Sequence, residues 1–301
     1  MATTLDTLEL DVTTTGLPGQ ASFLQGVGRA ARRNPLGAFA GLLCVFLVIM
    51  AIIGPSVAPY EATRVDFDRL EAPSMAHPFG TDNLLRDIFS RILIGTRNTL
   101  GVAFSAIAVS TILGVLLGVS SGYLAGAVDL GVSRMIDIML AFPPLVFLIF
   151  FLTIFSPTYF TVALAIGLVL TPGTTRIVRG ATIGIRHLAF VEAAVALGNS
   201  PARIMYRHIL PNVAATIIVI ASVQIGTAIL IEAAISFLGL GVSSAANPSW
   251  GRMLQEMRTV WQLAWWTCVV PGAAISLAVL SFNIFGDALR DALDPRLRGS
   301  R

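Results

Sequence analysis

The residues of this chain that could do acid–base, nucleophilic or metal chemistry are few and poorly placed for it. Its three histidines, His77, His187 and His208, all lie outside the long apolar runs, while Cys44 and Cys268 each sit inside one. A buried lone cysteine reads as a small hydrophobe. No Ser–His pair or His/Cys metal set can therefore be assembled within those runs. Asp137 and Asp287 stand near run ends, which argues against a paired-carboxylate protease site. All 20 basic residues are Arg. A phosphate loop requires Lys to reach the terminal phosphates, so energy from ATP must be supplied by another polypeptide. One carboxylate, Glu232 in LIEAAISFLGLG, lies well inside an apolar run. A single acid is a thin proton relay, and a structural pairing with a loop Arg or a neighbouring helix is expected for it. The sequence thus predicts no catalytic residue and no metal ligand.

What the chain has instead is apolar length. Of its 301 residues 55% are hydrophobic and 12% charged, with mean hydropathy +0.80. Soluble domains carry roughly 25% charged residues. Runs of about 20 apolar residues therefore indicate a protein that crosses the bilayer several times, and a net charge of +3 gives no case for nucleic acid. Backbone polar groups in lipid must be satisfied internally, so the runs are helices. Six spans are predicted, at 36–57, 100–124, 136–156, 159–177, 213–236 and 266–286. Pro143-Pro144 and Pro172-Gly173 predict kinks or frayed ends.

Arg placement orients the chain. Arg64, Arg69, Arg86, Arg91, Arg97, Arg252 and Arg258 fall in segments that alternate with those carrying the other 13 of the 20. Those seven are matched by Glu61, Asp66, Asp68, Glu71, Asp82, Asp87 and Glu256. The neutral side is read as external and the positive side as cytoplasmic, with both termini inside. The four Trp residues, 250, 261, 265 and 266, precede the last span, where an outer interfacial belt belongs. The expected organisation is a cytoplasmic segment 1–35 ending in a basic flank, a first span 36–57, an external loop 58–99, a five-helix core 100–287 containing a cytoplasmic insert 178–212, and a tail 288–301. In that tail Asp287, Arg290, Asp291 and Asp294 are spaced for pairing along a helix end.

The insert is the unusual piece. In VEAAVALGNSPARIMYRHILPN, residues 191–212, good helix formers stop at Gly198-Asn199, both tolerant of a left-handed backbone. Ser200-Pro201 then restarts the chain as N-cap and first helical residue. Ile204, Met205 and Ile209 form an apolar patch, with Arg203 and Arg207 one turn apart on another face. A connector this long that exposes Ala, Met and Tyr reads as a docking surface for a cytosolic protein.

Glu192, Ala193, Ala194, Gly198, Ile209, Leu210 and Pro211 stand as in the EAA loop of permease subunits from binding-protein-dependent ABC importers, which this stretch resembles. HPFGTDNLLRDIFSRILIGTR (77–97) is similar to the GTD-x-x-G-R-D block of the peptide and nickel branch, with Leu85 where that block usually has Gly. SFLGLGVSSAANPSWGRML (236–254) and FNIFGDALRDALDPR (282–296) resemble the end of DppC/OppC-type subunits. The likeness implies an all-α, six-span, type I (MetI-like) permease fold in a bacterial or archaeal plasma membrane. It implies that Glu192, Ala193, Ala194, Gly198, Arg203, Ile209, Leu210 and Pro211 couple to two cytosolic ATPases, which hold ATP and Mg while this chain binds no cofactor. A homologous second permease subunit of the DppB/OppB kind and an external solute-binding protein complete the partners; Trp250 and the segment Met253–Val260, with Arg252 and Arg258, are read as a surface helix where the latter lands. Di- or oligopeptides are the implied substrates, with nickel chelates or oligosaccharides as alternatives. Ser105, Ser222, Gln224 and Thr227, together with Ser110 and Thr111, are polar groups within spans that either line a path or serve helix packing.

Overall fold

The computed structural model describes residues 34–242 and 244–293, whose regular structure is helical apart from one isolated bridge, Thr81 to Asp87. The basic flank before residue 34 and the tail from Asp294 lie outside the described residues. Helix α1 is Pro35–Val57; Asn34 caps it, its side chain accepting from the Gly37 amide at 2.9 Å. Helix α2, Ile88–Leu124, is capped by Asp87, which accepts from the Ser90 amide at 2.7 Å. Then come α3, Gly126–Ala141, and α4, Pro144–Ile154, meeting at a bend of 89°. Helix α5, Tyr159–Ile185, opens on a reciprocal cap between Thr158 and Thr161. The remainder is α6, Ala189–Ala196; α7, Pro201–Ile204; a single π-turn, Met205–Ile209; α8, Leu210–Phe237; α9, Trp250–Met257; and α10, Trp266–Leu293.

Five of these helices are long and apolar enough to span a bilayer, counting α7, the π-turn and α8 as one, and the bent α3–α4 pair makes a sixth. Helix α2 is the axis, and α5 lies along it. Gly114, Gly118 and Gly122 recur every fourth residue, and a Cβ on them would meet Thr174 Cγ2 at 2.5 Å, the Thr175 carbonyl at 2.9 Å and Thr182 Cβ at 2.8 Å. Lipid offers apolar side chains as good an environment as a protein core does, so close backbone packing of this kind must hold the helices together. Leu100, Ala103, Ala106, Val162, Ile166 and Ile229 are buried where α2, α5 and α8 meet, while Leu36, Leu42 and Ile52 on α1 remain exposed.

The helices depart from the expected spans in four places. Helix α2 starts at Ile88 and not near 100, because Asp87 supplies a cap and Ile88 and Arg91 are buried against the loops above. The 136–156 span is two helices. Pro143 and Pro144 both lack an N–H, and Phe142 ahead of them is extended, at φ −92 and ψ 134. Pro172 does not end α5, which continues to Ile185. Pro211 does not break the chain either: helix runs from Pro201 to Phe237. The π-turn lies immediately ahead of Pro211, with the Leu210 amide donating to the Met205 carbonyl. It opens the helix where the proline ring would otherwise strike the carbonyl one turn back. The expected 178–212 insert is therefore mostly helix: its start extends α5 to Ile185 and its part from Pro201 is continuous with α8, so the insert described below is residues 186–211. Two ends result: an insert end, and a capped end built from residues 58–87 and 238–265.

Candidate functional site

The insert has two faces. Below, Val191, Ala194, Ile204 and Ile209 are buried in one cluster with Val119 of α2, Val178 of α5 and Val213 of α8. Arg186 donates to the Gly122 carbonyl at 3.2 Å, pinning the start of the insert to the end of α2. Gly198 adopts φ +74, and the amides of Gly198 and Asn199 donate to Val195 and Ala194 carbonyls, so the helix stop is made as expected. The Ser200 side chain accepts from the Arg203 amide, with Pro201 at the first helical position. Above, Glu192, Ala193, Val195, Gly198 and Arg203 are exposed, as are Leu197 at 82% and Tyr206 at 77%.

This geometry corrects part of the predicted contact set. Glu192, Ala193, Gly198, Arg203 and Pro211 are open to a partner and Leu210 is half-buried, but Ala194 and Ile209 point into the protein. They fasten the insert and cannot meet anything docking on it. Val191 and Ala194 are three residues apart, and that helical spacing already put both on one face.

The polar residues considered for a path divide in the same way. Gln224 is buried, accepting from the Thr174 hydroxyl at 3.1 Å, and Thr174 lies 2.9 Å from Ser110, so these three join α8, α5 and α2. The Ser222 hydroxyl donates to its own helix at Ile218. Ser105 lies 3.0 Å from the Tyr159 hydroxyl, and Thr227 is exposed. Glu232 is buried and, among the described residues, has no Arg partner: Ser236 donates to it at 2.6 Å, with the hydroxyls of Thr99 on α2 and Ser249 also in reach of it. Four of the seven loop Arg residues pair with other carboxylates instead.

They are occupied in the capped end. Arg86 lies 2.7 Å from Asp82 and 2.6 Å from Glu256, and Arg91 lies 3.3 Å from the same Glu256 oxygen. Arg252 pairs with the other oxygen of Glu256 at 3.3 Å. Asp87 faces His77 Nδ1 at 2.9 Å. Buried charges are tolerated only when paired in this way. Burial alone pushes the Glu256 carboxyl up, but the charges of Arg86 and Arg91 and hydrogen bonds from Arg86 and Arg252 outweigh it and hold the group below its ordinary 4.5. Trp250, expected at the surface, is 1% exposed, and its indole N–H donates to the Ile92 carbonyl at 3.2 Å. It is the wedge that seats α9; Gly251 beside it lies so close to the Ala233 carbonyl that a side chain would collide. Arg252 is half-buried on Glu256, and Arg258 is exposed.

Sequence reasoning missed two features. The Gly114–Gly118–Gly122 stripe was readable as small residues every fourth position. The left-handed residues Leu70, at φ 55, Leu85, at φ 63, and Ala125, at φ 55, carried no sequence signal except that Gly usually stands at the second in the block it resembles.

Residues 114–299 match the family model described as binding-protein-dependent transport system inner membrane component, and residues 22–73 match the N-terminal TM domain of oligopeptide transport permease C. Among curated relatives, the dipeptide transport system permease protein DppC of Alkalihalophilus pseudofirmus is 42% identical over 89% of this chain and 88% of that one. The glutathione transport system permease protein GsiD of Pectobacterium atrosepticum is 39% identical over 88% and 89%. The probable D,D-dipeptide permease DdpC of Escherichia coli is 38% identical over 89% and 90%. A solved inward-facing MetNI methionine ABC transporter superposes with TM-score 0.55 at 18% identity, covering 67% of this chain and 96% of that one, a likeness of fold.

Proposed function

The chain belongs to the family of binding-protein-dependent transport system inner membrane components and is a multi-pass permease subunit of an ABC importer; from that premise we propose that it imports short peptides, driven by cytosolic ATPases that push on its insert. The observation that carries this is the two-faced build of residues 186–211. A connector needs no exposed Leu197 and Tyr206 above a buried Val191, Ala194, Ile204 and Ile209. A platform that must receive force and pass it to α2, α5 and α8 needs both.

In this mechanism the ATPases close on hydrolysable nucleotide and displace the insert. The displacement enters the bundle through α8, which is continuous with α7, and through the buried cluster against Val119 and Val178. This half then rocks against a homologous permease subunit, and solute delivered by an external binding protein passes between them. Without Lys this chain supplies no phosphate loop, which fits ATP and Mg being held by the partner ATPases. The insert end faces the cytoplasm in this reading, with both termini inside, supported by the Arg excess there and by the charge balance of the capped end. Peptides are the proposed cargo because curated relatives are named as dipeptide and glutathione permeases.

Gly198→Trp is the test. Its φ of +74 already disfavours any side chain, and a Trp would stand up from the docking face. Uptake and binding-protein-stimulated ATP hydrolysis by the assembled importer should both be lost while the chain still inserts. Normal stimulated turnover in that variant would refute the coupling assignment.

A further inference from the structure

At the capped end a cavity of about 810 Å³ opens between the last turn of α1, residues 58–63, Ile94, Arg97 and Asn98 of α2, Tyr159, and Val242, Ala246 and Asn247. Pockets for small organic ligands run from roughly 300 to 1,000 Å³. Two opposite charges line it, Glu61 and Arg97, both exposed and, among the described residues, without an ion-pair partner. Arg64, Arg86, Arg91 and Arg252 in the same cap all pair with carboxylates. Two amides, Asn98 and Asn247, and two phenol rings, Tyr60 and Tyr159, also line the cavity.

Its walls are fixed from behind. The buried guanidinium of Arg91 donates to the Ala62 carbonyl on one wall at 3.1 Å and to the Ala245 carbonyl on the other at 3.5 Å. Ser90 accepts from the Tyr60 amide at 3.2 Å, and the Asn98 side chain donates to the Pro248 carbonyl at 2.8 Å. Walls tied in advance lose little entropy when a ligand arrives.

We propose that this cavity is a receiving site on the permease for the zwitterionic backbone of a short peptide. The planar fork of Arg97 takes the terminal carboxylate, Glu61 takes the terminal ammonium, and Asn98 and Asn247 bond the peptide group between them. The proposal rests on the reading of the chain as a peptide permease. A phosphoethanolamine lipid headgroup carries the same two charges, but it has no peptide group for the amides to meet.

The assembled importer, in phosphatidylglycerol nanodiscs without its solute-binding protein, is titrated with Ala-Ala by saturation-transfer NMR. Ala-Ala should bind, with N-acetyl-Ala-Ala and Ala-Ala-amide each weaker by about tenfold, the worth of one charge-assisted contact. Arg97→Gln should abolish the preference for a free carboxylate, and Glu61→Gln that for a free amine. Arg69→Gln, an exposed cap residue outside the cavity, should behave as wild type. Equal binding by wild type and both cavity variants overturns the proposal, as does binding of glycerophosphoethanolamine without binding of Ala-Ala. ATP-driven uptake of a short-peptide panel by the complete wild-type system separates the two failures. Uptake without charge-dependent binding discards the cavity and keeps the function; no uptake of any peptide discards both.

Discussion

Leu85 occupies the left-handed region at φ 63, where its Cβ crowds the following carbonyl at about 1 kcal/mol or more. It is 37% exposed, so removing the side chain forfeits little packing. Leu85→Gly should therefore raise the unfolding temperature of the detergent-solubilised chain, by about 1 kcal/mol of stability; an unchanged or lower midpoint would show the turn is not strained. Glu256 gives a second prediction. Its folded-state value lies below the ordinary 4.5, so the stability it contributes is fully present above 4.5 and is lost as pH falls through the lowered value. Melting curves taken from neutral pH down to about pH 3 should show that loss, and Glu256→Gln should flatten it while costing about 3 kcal/mol at neutral pH by leaving Arg86 and Arg91 to share Asp82. At this scale the sequence told residue type better than residue direction. Arg86, Arg91 and Asp82 do form an ion-pair network, joined through Glu256, but Asp87 beside them in sequence faces His77 instead, and Trp250, Ala194 and Ile209, expected at partner surfaces, pack inward. Aromatic and small residues near a loop look alike whether they face in or out until their neighbours are known.

At the level of elements, α2 and α5 meet through glycines, and the contact has no slack. Gly118→Val places atoms within 2.9 Å of the Thr175 carbonyl, a backbone atom that cannot turn aside. The expected result is loss of about 1–3 kcal/mol, or failure to obtain monodisperse protein. Gly180→Ala, on α5 where nothing lies within 4 Å, should be neutral or stabilising in the same melting assay. Element existence was legible because apolar length has one structural solution in lipid, and the Gly198–Pro201 hinge because its residue types have mechanisms. Boundaries were less so. Pro172 predicts a kink or frayed end and the fifth span is expected only beyond Pro211, but a helix already held by packing along its length accommodates the ring, with a π-turn in the second case. Only the doubled Pro143-Pro144 broke the helix, since two successive amides are missing there.

For the whole molecule, sidedness is the sharpest test. On a Cys268→Ser background with buried Cys44 retained, Leu263→Cys at the capped end should react with an impermeant thiol reagent in intact cells. Tyr206→Cys, at the opposite end, should react only in inverted vesicles. The reverse pattern would place the insert outside and end the coupling model. The two longest continuous helices, Ile88–Leu124 and Pro201–Phe237, have 37 residues each. Each is about 55 Å long, against an oily layer of about 30 Å. They overshoot in opposite directions, α2 carrying its surplus into the cap and the continuous α7–α8 rod carrying its own into the insert end. Neither attachment is thus a module on a flexible stalk. When one of these rods leans, its protruding tip sweeps sideways with it, so each attachment must travel with the span that carries it.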